Sequence, residues 1–224
     1  MSTRDADSQA RPSRWAARVF LLVLAALGAG CAEDESAAGY GGSSGPTTAA
    51  APGDPIDFGT LPDFRLTDQH GEPFGLIDLK GTPWVLACIF TTCTGPCPSI
   101  TRTMADVARR LEGTEAHLVS ITVDPARDNP AVLDRYAQAH EADPERWSFL
   151  TGEEAEVHGL IREGFKLPVA KLDEADPETG DFLTHDRRLT VVDAEGRIRG
   201  WYDSEDPAQV KRLVERVRAL LEDE

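Results

Sequence analysis

The chain has 224 residues, enough for one domain with extensions or a small pair. A formal net charge of −16 repels phosphate backbones and argues against nucleic acid as a partner, while 41% hydrophobic residues suffice for one ordinary core. The four cysteines, at positions 31, 88, 93 and 97, are too few for a disulfide scaffold of this size, so their placement carries the information.

Residues 1–30 read as a signal peptide. Arg11, Arg14 and Arg18 precede an apolar run from Val19 to Leu27, shorter than the ~20 residues that span a bilayer. The small residues Gly28-Ala29-Gly30 follow, as before a cleavage site, and Cys31 comes next. A cysteine in that place resembles a bacterial lipoprotein signal, which implies lipidation of Cys31, a membrane anchor and a domain outside the cytoplasm, on the periplasmic side of the cell envelope. Gly28 stands where such signals usually carry leucine. Residues 31–55 are rich in Ala, Gly, Ser, Pro and Thr without periodicity and read as a flexible linker. The folded domain is assigned to residues 56–224.

Within it, Phe64 to Thr67 alternates as a short strand and Asp68 to Gly71 turns the chain. The apolar run within Pro83 to Phe90 predicts a buried central strand. Thr91 to Cys97 is a loop, and Pro98 opens a helix with Met104, Val107, Ala108 and Leu111 as its apolar stripe. His117 to Val123 is the next strand. Asn129-Pro130 begins a helix that turns Val132, Leu133, Tyr136 and Ala137 inward. Trp147 to Leu150 predicts a short strand and Glu153 to Glu163 a helix. Residues 170–182 form an acidic, solvated loop. Arg188 to Val192 and Arg197 to Tyr202 flank the turn Asp193-Ala-Glu-Gly196 and make a hairpin. A last helix runs from about Asp206 to Leu221. The alternation is α/β. A βαβ unit followed by a hairpin and a helix is the order of a thioredoxin-like fold, with a mixed central sheet flanked by helices.

Cys93 and Cys97 close the central strand and open the next helix. Sites in open α/β sheets gather at the carboxyl ends of strands. A helix N-terminus also favours negative charge and lowers thiol pKa, and the thiolate is both the nucleophile and the metal ligand. Three residues between the cysteines make a wider loop than the usual redox C-x-x-C. The pair can admit a soft ion such as cuprous copper, or close a disulfide. Two thiolates do not complete a metal site. Of the five histidines, His185 is the best candidate for a third ligand, because the start of an antiparallel strand lies at the same sheet edge as the end of the central one. The same position also suits an ordinary surface histidine.

Phe90-Thr-Thr-Cys93-Thr-Gly-Pro-Cys97-Pro98 resembles the cysteine loop of the Sco/SenC family, and Ile121-Thr-Val-Asp-Pro-Ala-Arg-Asp128 resembles its Asp-Pro-x-Arg-Asp segment. Phe149-Leu-Thr-Gly152 is similar to a third block, and His185 to the family's distal histidine. The blocks keep the family's order over about residues 58–222. The resemblance implies an anchored thioredoxin-like domain that binds one copper through Cys93, Cys97 and His185. It also implies delivery of copper to, or thiol reduction at, the binuclear copper site of cytochrome c oxidase or another copper protein. Such a chain is a copper carrier before it is an enzyme. Thr94 replaces a frequent proline after the first cysteine, and Thr184 and Asp186 flank the histidine where an acidic residue and Ser or Thr are common.

Two other activities compete with copper binding. An exported thiol–disulfide oxidoreductase needs the redox pair Cys93 and Cys97 but neither metal nor His185. A peroxiredoxin-like peroxidase needs a Thr/Ser-x-x-Cys context that Thr91-Thr92-Cys93 lacks. Cys88, inside the apolar strand, reads as a small buried hydrophobe. Asp128 or Asn129 caps the helix that Pro130 begins, and Asp124 and Asp128 otherwise read as loop residues or as outer support for a metal.

Overall fold

The computed structural model describes residues 57–93, 97–173 and 183–223. The residues read as a signal peptide and linker, with Cys31, lie outside them. Arg65–Thr67 (β1) and Pro73–Gly75 (β2) pair antiparallel, and a 3-10 turn follows over Leu76–Leu79. Trp84–Ile89 (β3) is buried at every position because it lies in the middle of a sheet covered on both faces. Cys97–Arg110 (α1) returns the chain to His117–Thr122 (β4), parallel to β3 with Trp84 opposite His117. Pro130–Ala139 (α2) leads to Trp147–Leu150 (β5), which joins the far side of β4.

Glu154–Gly159 (α3) then gives way to a π-turn over Leu160–Gly164, so the predicted helix from Glu153 to Glu163 is split between two windings. The predicted acidic loop is also modified. Its first residues belong to Val169–Lys171 (β6), which pairs antiparallel with Leu183–His185 (β7). The ribbon is tied to α3 where Lys171 Nζ meets Glu154 Oε2 at 2.6 Å. The rest of that acidic segment, 174–182, lies outside the described residues.

Arg188–Val192 (β8) pairs antiparallel with β3, and Ile198–Asp203 (β9) closes the hairpin on its outer side. The turn between them is held by Asp193: Oδ1 accepts from the amides of Glu195 and Arg197 at 3.1 and 2.7 Å, and Oδ2 meets Arg199 Nε at 2.7 Å. Gly196 takes φ +83°, a conformation that favours glycine. Pro207–Glu222 (α4) follows, capped by the Asp206 side chain.

The sheet order is β5-β4-β3-β8-β9. Strand residues alternate between two cores. Trp84, Leu86, Cys88 and Phe90 face one, with Val119, Ile121 and Phe165. Val85, Ala87 and Ile89 face the other, with Ile100, Met104 and Val107 of α1 and Leu213 and Val217 of α4. A βαβ unit plus a β-hairpin and a terminal helix on a mixed sheet is a thioredoxin-like fold. Among the described residues no helix is long and apolar enough to cross a membrane.

Burial, with the nearby Arg146 charge, pushes the His117 imidazole from the ordinary 6.5 down to about 4. The folded state therefore holds His117 neutral while the unfolded chain takes up a proton first, so stability is lost as pH falls from 6.5 toward 4. In His117→Gln that part of the acid sensitivity should disappear. Urea unfolding of both proteins across this interval checks it, and equal slopes would refute it.

Candidate metal centre

The central strand ends at one edge of the sheet, and Thr91 is the first residue beyond Phe90. Its amide donates to Asp128 Oδ2 at 3.0 Å and its hydroxyl makes a short bond to Asp128 Oδ1. Thr122, at the end of β4, donates its hydroxyl to the same carboxylate at 2.5 Å. Asp128 is fully buried, and these donors satisfy it. It is therefore not the helix cap. That role falls to Asn129, whose Oδ1 accepts from the Val132 amide at 3.1 Å. Asp124 is also buried and pairs with the exposed Arg127 at 3.1 Å.

From this anchored start the chain turns, the Cys93 amide donating to the Phe90 carbonyl at 3.3 Å. Cys93 and Cys97 are both buried, and the Cys97 amide, in the first turn of α1, donates to Cys93 Sγ at 3.4 Å. An amide aimed at sulfur and a helix N-terminus both favour the thiolate. One turn further along α1, the Thr101 hydroxyl and the Tyr136 hydroxyl of α2 share a hydrogen bond of 2.7 Å. Burial pushes the Tyr136 phenol up to about 12, so it stays protonated beside the cysteines.

His185 comes from β7. Its Nε2 lies 3.0 Å from Cys97 Sγ, and its Nδ1 donates to the Asp186 carbonyl at 2.9 Å. The Phe90 ring stands edge-on to the imidazole, 5.6 Å between centroids at 85°. The three donor atoms of Cys93, Cys97 and His185 all lie within 4.8 Å of one another. Two thiols and one imidazole form a soft set that suits cuprous copper and offers nothing to a hard, oxygen-seeking ion. Among the described residues this is the one group of His, Cys, Asp or Glu so arranged.

Sequence reasoning did not find Thr91, Thr101 or Tyr136, whose partners are distant in the chain. Cys88 lies outside the group. It is buried on the same sheet face as Phe90, and burial, with the Asp186 charge, pushes its thiol far up. Cys31 is not among the described residues, so the structure says nothing of its lipidation.

Residues 56–222 match the SCO1/SenC family model. The chain belongs to that family, a class of thioredoxin-like proteins. Among solved structures it is similar to a SCO1/SenC family lipoprotein from Bacillus anthracis, with 27% identity and a TM-score of 0.67, covering 76% of this chain and 99% of that one. It is similar to BsSco, in which a disulfide switch was identified and which is a member of the Sco family of cytochrome c oxidase assembly proteins. Identity there is 27% and the TM-score 0.65, over 76% of this chain and 98% of that one. Yeast Sco1, solved with copper bound, is 25% identical with a TM-score of 0.59, over 71% of this chain and 88% of that one.

Two outcomes test this description. Asp128→Ala leaves an amide and two hydroxyls without their acceptor, at about 1–3 kcal/mol for each group that stays dry. Denaturant titration should show a loss of several kcal/mol, and a loss below about 1 kcal/mol would contradict the buried anchor. Alkylation of the native reduced protein should reach Cys93 first, the most exposed of the three described cysteines at 8%. Cys88 should react only after unfolding, as peptide mass mapping with and without denaturant would reveal.

Proposed function

We propose that this protein is a copper-binding assembly factor that holds one cuprous ion between Cys93, Cys97 and His185 and passes it to a copper protein. The client is the binuclear copper site of cytochrome c oxidase or a related acceptor. What carries the reading is the convergence of two thiols and one imidazole within 4.8 Å. Membership of a family with copper-bound and oxidase-assembly members supports it. The sequence pattern at Cys31, together with the lipoprotein named among the similar structures, supports a lipid anchor that keeps the domain at a membrane outside the cytoplasm.

Copper is cargo here, and its affinity for thiolate and imidazole supplies the binding. The chain's own contribution is to deprotonate and aim its ligands. The start of α1 and the Cys97 amide favour the thiolate at Cys93. His185 offers the lone pair of Nε2, because its Nδ1 proton is committed to a carbonyl. Burial of both sulfurs limits access by water and oxidants.

A second reading has its own support. The sulfurs of Cys93 and Cys97 lie within 4.8 Å. Exchange with a client's disulfide would join them and leave the client with two thiols, which makes the pair a thiol–disulfide reductant.

The reduced, metal-free protein should bind about one Cu(I) per chain in competition with a chromogenic chelator. His185→Ala should weaken binding by at least ~100-fold, more than the loss of a supporting group does. Failure of the wild type to retain copper would sink the copper reading. Thiol exchange that persists unchanged in His185→Ala would favour the second.

A further inference from the structure

Beside the metal centre lies an ion pair that the copper reading leaves unused. The Asp186 carboxylate meets Arg188 in a fork: Oδ2 lies 2.6 Å from Nη2, and Nε lies 2.9 Å from both oxygens. Oδ1 also accepts from the Arg188 amide at 2.7 Å, which closes a turn across Arg187. The side chains of Asp186 and Arg188 are only 11% and 23% exposed, so the pair is largely shielded from solvent. Bidentate charge-assisted bonds of this kind fix direction as well as distance. Arg188 opens β8, which is bonded to the central strand. The fork therefore fastens residue 186 to the rigid sheet.

The residue so fastened is the one whose carbonyl oxygen receives the His185 ring proton at 2.9 Å. A carbonyl can only accept, so Nδ1 carries the proton and Nε2 is left with its lone pair 3.0 Å from Cys97 Sγ. Neutral imidazole in water favours the opposite tautomer, with the proton on Nε2, which cannot ligate through that atom. Some feature of the chain must hold the less common form.

We infer that Asp186 and Arg188 are positioning residues of the metal site: their fork aims the Asp186 carbonyl at His185 Nδ1 and so presents Nε2 as a ligand. The inference rests on the copper reading for its purpose, but the tautomer itself exists without metal. Arg187 is not part of the device. It points to Asp203 and Glu205, at 3.1 and 2.9 Å, and is half exposed.

The test uses the full chain in mild detergent, reduced and metal-free, with 15N-labelled histidine. Long-range imidazole NMR above the ordinary histidine pKa reports which ring nitrogen bears the proton, and His185→Ala assigns the signal. Wild type should show His185 protonated at Nδ1. Asp186→Ala, which removes fork and turn, and Arg188→Lys, which keeps the charge but not the fork, should shift the signal toward the Nε2-protonated form. Copper(I) affinity should fall about 10- to 100-fold in both, the range typical of groups that orient a ligating histidine. Far-UV circular dichroism confirms that each variant is folded, and Arg188→Lys decides if Asp186→Ala is not. Wild-type His185 protonated at Nε2, or folded variants with unchanged tautomer and unchanged copper affinity, would overturn the inference. If wild type binds no copper, the proposed function fails and the tautomer measurement alone decides this one.

Discussion

The site depends on one buried carboxylate. Asp128 sits where water cannot reach it, and a carboxylate there must be bonded at both oxygens or it would cost several kcal/mol. Its donors come from two parallel strands, Thr91 just past β3 and Thr122 at the end of β4. Their strand ends are thereby locked in step, and Cys93 begins two residues from a fixed point. Asn129, next in the chain, caps α2, so the same short segment sets both the loop and the helix beside it. Tyr136 of α2 then reaches back to Thr101 on α1. The cysteine loop is held at its entrance by Asp128 and at its exit by α1.

Sheet direction does the rest. β3 and β4 are parallel and finish at the same edge, whereas β8 runs the other way and starts there. Side chains separated by 88 residues, Cys97 and His185, can meet because the two chain directions converge on that edge. Cys93 follows the anchored end of β3, and Cys97 opens α1. The histidine arrives on the short ribbon of β6 and β7, whose tie to α3 is an exposed ion pair of little energetic worth. The fork between Asp186 and Arg188 gives the histidine side a second, less exposed tie.

Elements with strong periodic signals were legible in the sequence. The unbroken apolar run of β3, the stripe of α1 and the Asp193–Gly196 turn each specify their structure through burial or turn chemistry. Strand direction pointed to His185 at that edge, but it equally suited a surface histidine until the family resemblance was added. The small ribbon was not legible: each of its strands has three residues, too few for a period of two to register. The π-turn after α3 was hidden because its apolar residues continue a helical pattern while the backbone widens. The grip of Asp128 on the strand ends was hidden for another reason. An aspartate before Asn-Pro suits a cap or a loop, and its partner Thr91 lies 37 residues earlier in the chain. Pairings across that distance leave no local trace.

The features that suit this site to a soft metal are the ones that suit it to thiol exchange. A helix N-terminus and an amide aimed at Cys93 stabilise a thiolate whether it will ligate or attack. Burial protects both a bound ion and a reduced dithiol. The cysteines alone thus do not separate the two chemistries, and the distinction falls to the histidine. A thiol-exchange site needs an attacking sulfur and an open approach; an imidazole lone pair 3.0 Å from Cys97 Sγ crowds that approach and adds a third donor. The tautomer that frees this lone pair also equips the imidazole to take a proton from Cys97, so what it adds for copper is the third donor. Under the proposed function, the His185 side of the site is what favours copper, and thiol exchange is what the same pair of cysteines offers without it.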